Sequence, residues 1–287
     1  MNVIKTRLTV GIILCGLAFS AFAATAEEIA LRQKLAATGD KQAQYELALA
    51  YETGDGIEKD DAAAAKMYQR AARQGHADAQ ANLGMLYQEG RGVKANLKRA
   101  LSWYSKAAEQ GNTYAQNNLG RLYFYGYGVK QDYQKALSWF QKAAENGEST
   151  AQKNLAYMYA QGAGVEKNMP IAAQWYEKAA RQGLVEAQAE IGFMYDSGEG
   201  VAADAEKAAL WYTQAADQGN TIAQYNLGGM YLDGRGVVKN VEKAQALFEL
   251  ACKGGDEDAC RLINAEVVEQ PQQDFIEKPE PEFQPQQ

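Results

Sequence analysis

A pattern of small, apolar and aromatic positions recurs every 36 residues along most of the chain. In one copy the apolar positions are Ala115, Leu119, Gly120 and Tyr123, and this spacing of i, i+4, i+5 and i+8 is one face of an α-helix. A Gly-x-Gly sequence follows, and glycine costs about 1 kcal/mol relative to alanine inside a helix. The first part of each copy therefore predicts a helix that ends in a turn.

A second helix is predicted after an Asp or Asn that stands at the same position of all six copies, as Asp132 does in the third. Such side chains accept hydrogen bonds from the N–H groups of a first helical turn. The apolar stripe that follows has helical spacing and consists of Ala136, Trp139, Phe140, Ala143 and Ala144. Gly147 then lies where a left-handed C-terminal cap is expected.

Stacked helical pairs can bury apolar faces that a single pair would leave exposed. The sequence thus predicts an all-α fold, an α/α solenoid with capping helices at 24–41 and 259–268. We expect Trp139 to be buried between helices, so that Trp139→Ala costs about 3–5 kcal/mol. The six repeats are predicted at 43–78, 79–114, 115–150, 151–186, 187–222 and 223–258.

The repeated motif resembles a known family. The elements A-Q-x-N-L-G-x-x-Y, G-x-G-V and K-A-x-x-W-Y-x-K-A-A-x-x-G are similar to the Sel-one-like repeat, a relative of the tetratricopeptide repeat, from Ala43 to about Asp258. Met67 and Leu247 replace the tryptophan in the first and last copies, and terminal repeats of solenoids are often atypical. The resemblance implies a solenoid that binds a protein or peptide partner, and it does not name that partner.

The N-terminal 23 residues predict a secretory signal. Lys5 and Arg7 precede the apolar run Leu8–Phe22, whose 15 residues are few for a membrane span. Ala21-Phe22-Ala23 fits a small-x-small cleavage site. We therefore expect a periplasmic or secreted protein with no membrane span after cleavage, and an uncleaved anchor is the alternative.

Charge and composition narrow the choice of partners. Without Lys5 and Arg7 the chain carries 27 basic against 36 acidic residues, a net charge of −9. This balance argues against nucleic acids and anionic membrane surfaces. Residues 269–287 contain four of the five prolines, which predicts a disordered tail. The tail is either a solvated segment or a short binding motif.

Two cysteines lie near the end of the repeats, Cys252 and Cys260, with Gly254 and Gly255 between them. Adjoining helices would make a disulfide geometrically possible, and an exported compartment would permit it. The spacing is similar to that of cysteine-rich exported Sel-one-like proteins, in which every repeat has such a bridge. Two buried free thiols are the alternative. A zinc site is not expected, because two thiols without a nearby histidine do not complete one.

We find no residues arranged for catalysis and expect neither an enzyme nor a cofactor. The single histidine, His76, is expected to face solvent in a turn. The S-x-x-K, S-D-N and K-T-G elements of serine β-lactamases are absent, as is a phosphate-binding loop. The resemblance nevertheless leaves two alternatives open. These are a cell-wall-active or β-lactam-binding or hydrolysing protein, and a virulence factor that binds a host protein.

The candidate partner site lies on the first helices, which line the concave face in related repeats. One register carries amides that could hold the backbone of an extended peptide, or could instead bond a neighbouring helix: Asn82, Asn118, Asn154 and Asn226. Variable registers carry large side chains that are typical of recognition surfaces, although burial between copies is the alternative. They are Phe124, Tyr125, Tyr157 and Phe193, with Arg121 and Lys153 beside them.

Overall fold

The computed structural model describes residues 24–264, which form fourteen α-helices. The predicted signal at 1–23, the end of the predicted C-terminal cap at 265–268 and the tail at 269–287 lie outside these residues. The first helices of the six repeats are α2 (Lys41–Thr53), α4 (Ala77–Glu89), α6 (Thr113–Tyr125), α8 (Ser149–Gln161), α10 (Val185–Ser197) and α12 (Thr221–Asp233). The second helices are α3 (Asp61–Arg73), α5 (Leu97–Glu109), α7 (Tyr133–Glu145), α9 (Met169–Arg181), α11 (Ala205–Asp217) and α13 (Val241–Lys253), and the end helices are α1 (Ala26–Ala37) and α14 (Glu257–Asn264).

The predicted capping residues begin and end these helices. Asp132 accepts the backbone N–H of Lys135 at the start of α7, and the Asp or Asn at this register does the same in every repeat. Gly126 ends α6 in the left-handed conformation, with φ of 77°. Gly147 follows α7 with φ of 89°. The all-α solenoid of six helical pairs is therefore confirmed.

An aromatic ring packed on a glycine joins the two helices of a pair. An added Cβ on Gly120 would lie 2.7 Å from the ring of Phe140, and Phe140 is completely buried. Trp139 is only partly buried, and the Nζ atom of Lys142 lies 4.2 Å from its ring centroid. Trp139 packs against the core from its edge, so the expectation that it fills the interhelical core is met only in part. Phe140 has that role, because it points at the neighbouring helix from the next residue along.

A row of buried glutamines connects each repeat to its neighbours. Their Nε2 groups donate to carbonyl oxygens of the preceding second helix, at 3.0–3.2 Å. Four of their Oε1 atoms accept, at 2.7–2.8 Å, from a glutamine that follows their own second helix. The buried glutamines are Gln44, Gln80, Gln116, Gln152, Gln188 and Gln224.

The C-terminal end is held by the predicted disulfide, which is confirmed. Cys252 in α13 and Cys260 in α14 are bonded, with their Cα atoms 4.7 Å apart. Ala259 is buried beside Phe248 and Ala251. A closed ring of about nine residues stabilises a fold by roughly 2–3 kcal/mol in the chain-entropy model. The bond therefore attaches a short terminal helix that has a repeat on only one side.

Two links in the glutamine row are missing, at Asn146 and at Gly254, and the first yields a test. Asn146 stands where the other repeats have Gln110 or Gln182, and its shorter side chain donates to the Lys142 carbonyl instead. The Oε1 atom of Gln116 is buried without a hydrogen-bond partner. We expect Asn146→Gln to raise the free energy of unfolding by about 1 kcal/mol, because a buried acceptor gains its donor. Urea denaturation measures this.

The reciprocal change is the control. Gln110→Asn should remove the bond to Gln80, which is 2.7 Å long, and should lower stability by a similar amount. No gain in Asn146→Gln, together with a loss in Gln110→Asn, would mean that Gln116 is satisfied in another way.

Candidate protein-interaction surface

First helices of neighbouring repeats contact each other directly at two repeat boundaries. Contacts between neighbouring repeats join α4 to α6 and α10 to α12, and all four are first helices. Side chains near the C-terminal ends of the first helices and in the following turns therefore meet across repeat boundaries.

The predicted asparagines are engaged within the chain. Asn118, Asn154 and Asn226 are at most 4 % exposed, and Asn82 is half-buried. Their Nδ2 groups donate to the Tyr68 hydroxyl from Asn82 (3.1 Å), the Tyr114 carbonyl from Asn118 (3.0 Å), Asn117 Oδ1 from Asn154 (2.8 Å) and the Tyr212 hydroxyl from Asn226 (3.3 Å). Three of these bonds reach a neighbouring helix, which is the alternative that the sequence left open, whereas Asn118 bonds its own helix. Because Asn118, Asn154 and Asn226 are buried, little of these three amides is left for a peptide to reach.

The predicted aromatic side chains meet at the boundary of the third and fourth repeats. Ring centroids of Phe124 lie 5.1 Å from Tyr125 and 6.1 Å from Tyr157. Two tyrosines missed from the sequence complete the group: Tyr127 stacks on Tyr125 at 5.0 Å, and Tyr133 lies 5.1 Å from Phe124. We call these five residues the aromatic cluster. Tyr127 lies in a turn and Tyr133 at the start of a helix, so neither belongs to an apolar stripe with helical spacing that would have indicated it.

Exposure differs among the members of the aromatic cluster. Phe124 is 8 % exposed and supports the others, whereas Tyr133 is 38 % exposed. Tyr125, Tyr127 and Tyr157 are half-buried. The surface therefore offers ring edges and hydroxyl groups around a buried phenylalanine.

Burial raises the pKa of two phenols in the aromatic cluster. Burial raises the pKa of Tyr125, and the nearby charge of Arg121 opposes that rise. Burial likewise raises the pKa of Tyr157, helped by Tyr133 and by the carboxylate of Glu190. Each hydroxyl can thus donate a hydrogen bond at neutral pH. Lys153 is half-buried on α8, one turn before Tyr157.

Phe193 does not join the aromatic cluster and instead lines a cleft beside it. The cleft has a cavity volume of about 60 Å³ and lies between the fourth and fifth repeats. Phe193 is 7 % exposed. The residues that line the cleft include Tyr157, Ala160, Met169, Glu190, Phe193 and Glu199. Tyr157 thus belongs to both the aromatic cluster and the cleft.

Neither a metal site nor a membrane span is found in residues 24–264. No group of three or more His, Cys, Asp and Glu side chains there could hold a metal ion. Among the described helices, none combines the length and apolar character needed to cross a membrane.

His76 was expected to face solvent in a turn, but it caps the N-terminus of α4. It is half-buried, it precedes α4, and its Nδ1 atom accepts the backbone N–H of Ala79 at 3.3 Å. Because Nδ1 is an acceptor, Nε2 carries the hydrogen and donates to Gln42 at 3.0 Å. The ring also stacks on Tyr45. This cap requires the neutral imidazole, since protonation would convert Nδ1 to a donor.

The fold and surface described above define an α-solenoid repeat protein whose helical pairs present side chains at repeat boundaries. The Sel1 repeat model matches residues 41–76, 77–112, 113–148, 149–184, 185–220 and 221–256, so the chain belongs to the Sel1 repeat family. Each match begins two residues before the repeat predicted above. Sel1 repeat proteins are scaffolds for protein–protein interaction.

Solved structures agree with this assignment. A protective antigen of uropathogenic Escherichia coli with an SLR fold is 35 % identical, with a TM-score of 0.78 over 83 % of this chain and 51 % of the antigen. The chain thus spans about half the length of that protein. A Sel1 repeat protein from Oxalobacter formigenes is 36 % identical, with a TM-score of 0.69 over 79 % of this chain and 92 % of the other. Comparison with curated proteins gives no match.

The His76 cap predicts a dependence of stability on pH. Burial, assisted by Lys41 and opposed by Asp78 and Glu46, lowers the pKa of His76 below its ordinary value of 6.5. Above that pH both states are neutral and the full stability is present. As the pH falls from there towards the folded-state pKa, the unfolded chain binds a proton that the folded chain excludes, so stability should decrease.

Because His76 is the single histidine, a matched variant isolates its contribution. His76→Asn keeps a cap of the kind that Asn112 provides at the next repeat and removes the titration. Urea midpoints at about pH 7.5 and 5.5 should fall further in the wild-type protein than in this variant. Equal decreases would contradict the neutral-histidine cap.

Proposed function

We propose that this protein is an exported scaffold that binds a protein partner through the aromatic cluster. The observation that carries the proposal is a continuous set of ring contacts from Tyr127 in the third repeat to Tyr157 in the fourth, with Tyr133 exposed and Phe124 buried beneath it. Tyrosine is enriched among the residues that contribute most to protein–protein affinity. Its ring contributes apolar contact area, and its hydroxyl bonds polar groups of the partner.

The geometry favours a protein segment over a small molecule. The aromatic cluster extends from the end of α6 through the following turn to the start of α7 and across to α8. A partner segment that crosses this boundary would contact Tyr125, Tyr133 and Tyr157 in succession. Arg121 and Lys153 would lie beside it and could pair with acidic groups of the partner.

Export is supported by the disulfide and by one contact at the N-terminal end. The bond between Cys252 and Cys260 suits an oxidising compartment. The backbone nitrogen of Ala24 donates to Asp55 Oδ1 at 2.8 Å. Cleavage after Ala23 would turn that nitrogen into an ammonium group and strengthen the bond by adding charge. The similarity to a protective antigen also favours a location outside the cytoplasm.

A crosslinking pull-down from the native envelope tests the proposal. We expect the triple variant Tyr125→Ala/Tyr133→Ala/Tyr157→Ala to recover at least about tenfold less of the partner than wild type, a loss of 1.4 kcal/mol or more. The N-terminal residue of the recovered protein should be Ala24. Retention of the preceding residues would contradict cleavage at this site.

Leu210→Ala/Val238→Ala is the matched control, because both side chains are exposed and apolar, at 57 % and 88 %, and lie in other repeats. It should recover the partner as wild type does, and melting curves should show that both variants are folded. Equal recovery by the triple variant would exclude the aromatic cluster as the site.

Hydrolysis of a chromogenic β-lactam by the pure protein would favour the enzymatic alternative. Capture of a secreted host protein would favour the virulence alternative.

A further inference from the structure

Two repeat boundaries each hold an arginine in the same place. Arg91, the central residue of a Gly-x-Gly turn, reaches back 39 residues to Glu52 at 2.7 Å and lies 3.9 Å from the sulfur of Met85. Arg235 occupies the same register of the last repeat and pairs with Asp196. The side chain of Asp196 is 1 % exposed. The solenoid thus has a recurring place for a cation between one turn and the first helix of the preceding repeat.

The fourth and fifth repeats carry different residues at these two registers. Glu199 stands at the register of Arg91, and Ala160 at that of Glu52. The cleft of about 60 Å³ lies here. Phe193 in its wall corresponds to Met85. The cleft therefore coincides with the position that an arginine of the chain fills at two other boundaries.

The remaining boundaries differ from this one. Between the second and third repeats the same two registers carry Gln88 and Tyr127, and between the third and fourth they carry Phe124 and Ala163. Each of those pairs is neutral and includes at least one large side chain. The combination of a small residue with a carboxylate belongs to the cleft.

The walls of the cleft suit a positively charged group. Glu190 and Glu199 bring two carboxylates, and Tyr157 and Phe193 bring aromatic rings, a type of side chain that attracts cations. Lys167 also lines the cleft, but Lys59 holds the same register at the first boundary, where Arg91 is nevertheless accommodated. After burial, the charge of Glu190 contributes most to the raised pKa of Tyr176, which also lines the cleft.

We infer that the cleft between the fourth and fifth repeats receives an arginine or lysine side chain from the protein partner. This inference rests on the proposed scaffold function and adds to it the chemistry of one anchoring residue. Tyr157 borders both sites. A partner segment that lies on the aromatic cluster could therefore place a neighbouring basic side chain in the cleft. The acidic net charge of −7 would favour the approach of such a partner.

The test uses a peptide probe, acetyl-Gly-Arg-Gly-amide, and the full mature chain. In ¹H–¹⁵N NMR titrations we expect saturable shifts of the backbone amides of Phe193 and Glu199. The citrulline counterpart, which has the same shape without the charge, should bind at least about tenfold more weakly. Absence of shifts at up to about 10 mM probe, or equal shifts with citrulline, would overturn the inference.

Two variants fill or neutralise the cleft. Ala160→Glu/Glu199→Arg rebuilds within the chain the pair seen at Arg91 and should abolish the shifts. Glu199→Gln, a milder change, should weaken binding of the probe several-fold. Glu58→Gln is the control for charge, because it changes the net charge by the same amount as the double variant. Glu58 is exposed and lies in another turn, so this variant should bind the probe as wild type does. Undiminished binding by both cleft variants would place the probe elsewhere.

The same variants separate this inference from the scaffold proposal. If Ala160→Glu/Glu199→Arg still captures the partner in the pull-down and the tyrosine triple variant does not, the cleft inference fails and the scaffold stands. If no form captures a partner while the arginine probe still binds the cleft, the scaffold proposal fails alone.

Discussion

The arrangement of repeats depends on a close backbone contact at the second glycine of each Gly-x-Gly turn. This glycine has a positive φ, and an added Cβ would meet the start of the second helix in the preceding repeat, as Gly92 meets Asp61 and Gly128 meets Leu97. No other residue combines that conformation with that proximity. The contact fixes how one repeat sits on the next, and it directs the central residue of the turn back towards the preceding first helix.

Positions that stay constant from copy to copy build the solenoid, and positions that vary give it a surface. The buried glutamines and the glycines at the turns recur with the period. The cleft arises because Ala160 and Glu199 stand where two other boundaries carry an acid and an arginine. The aromatic cluster arises because the third repeat alone carries Phe124, Tyr127 and Tyr133 together. Specificity in such a protein is thus a local departure from the repeat.

The sequence predicted features that depend on neighbours in the chain. Helix caps such as Asp132, the turn at Gly126 and the bridge between Cys252 and Cys260 need only local geometry, and all are confirmed. The roles of Trp139 and Phe140 could not be separated from the sequence, because both are aromatic residues of one apolar stripe. Which of them fills the core depends on the residue opposite, and Gly120 of the other helix leaves room for the Phe140 ring. Pairs 39 residues apart, such as Arg91 with Glu52, depend on how repeats stack, which no local spacing records.

The most direct test of the stacking constraint compares two glycines of the second repeat. Gly92 and Gly111 both have positive φ, 64° and 90°. An added Cβ would lie 2.0 Å from the Asp61 carbonyl oxygen at Gly92 and would meet nothing within 4 Å at Gly111. Alanine at Gly111 should cost about 1 kcal/mol of unfolding free energy from backbone strain alone, and alanine at Gly92 at least about 2 kcal/mol more, because two backbones must separate. Equal losses in urea denaturation would contradict the account, since the turn would then not determine how the repeats stack.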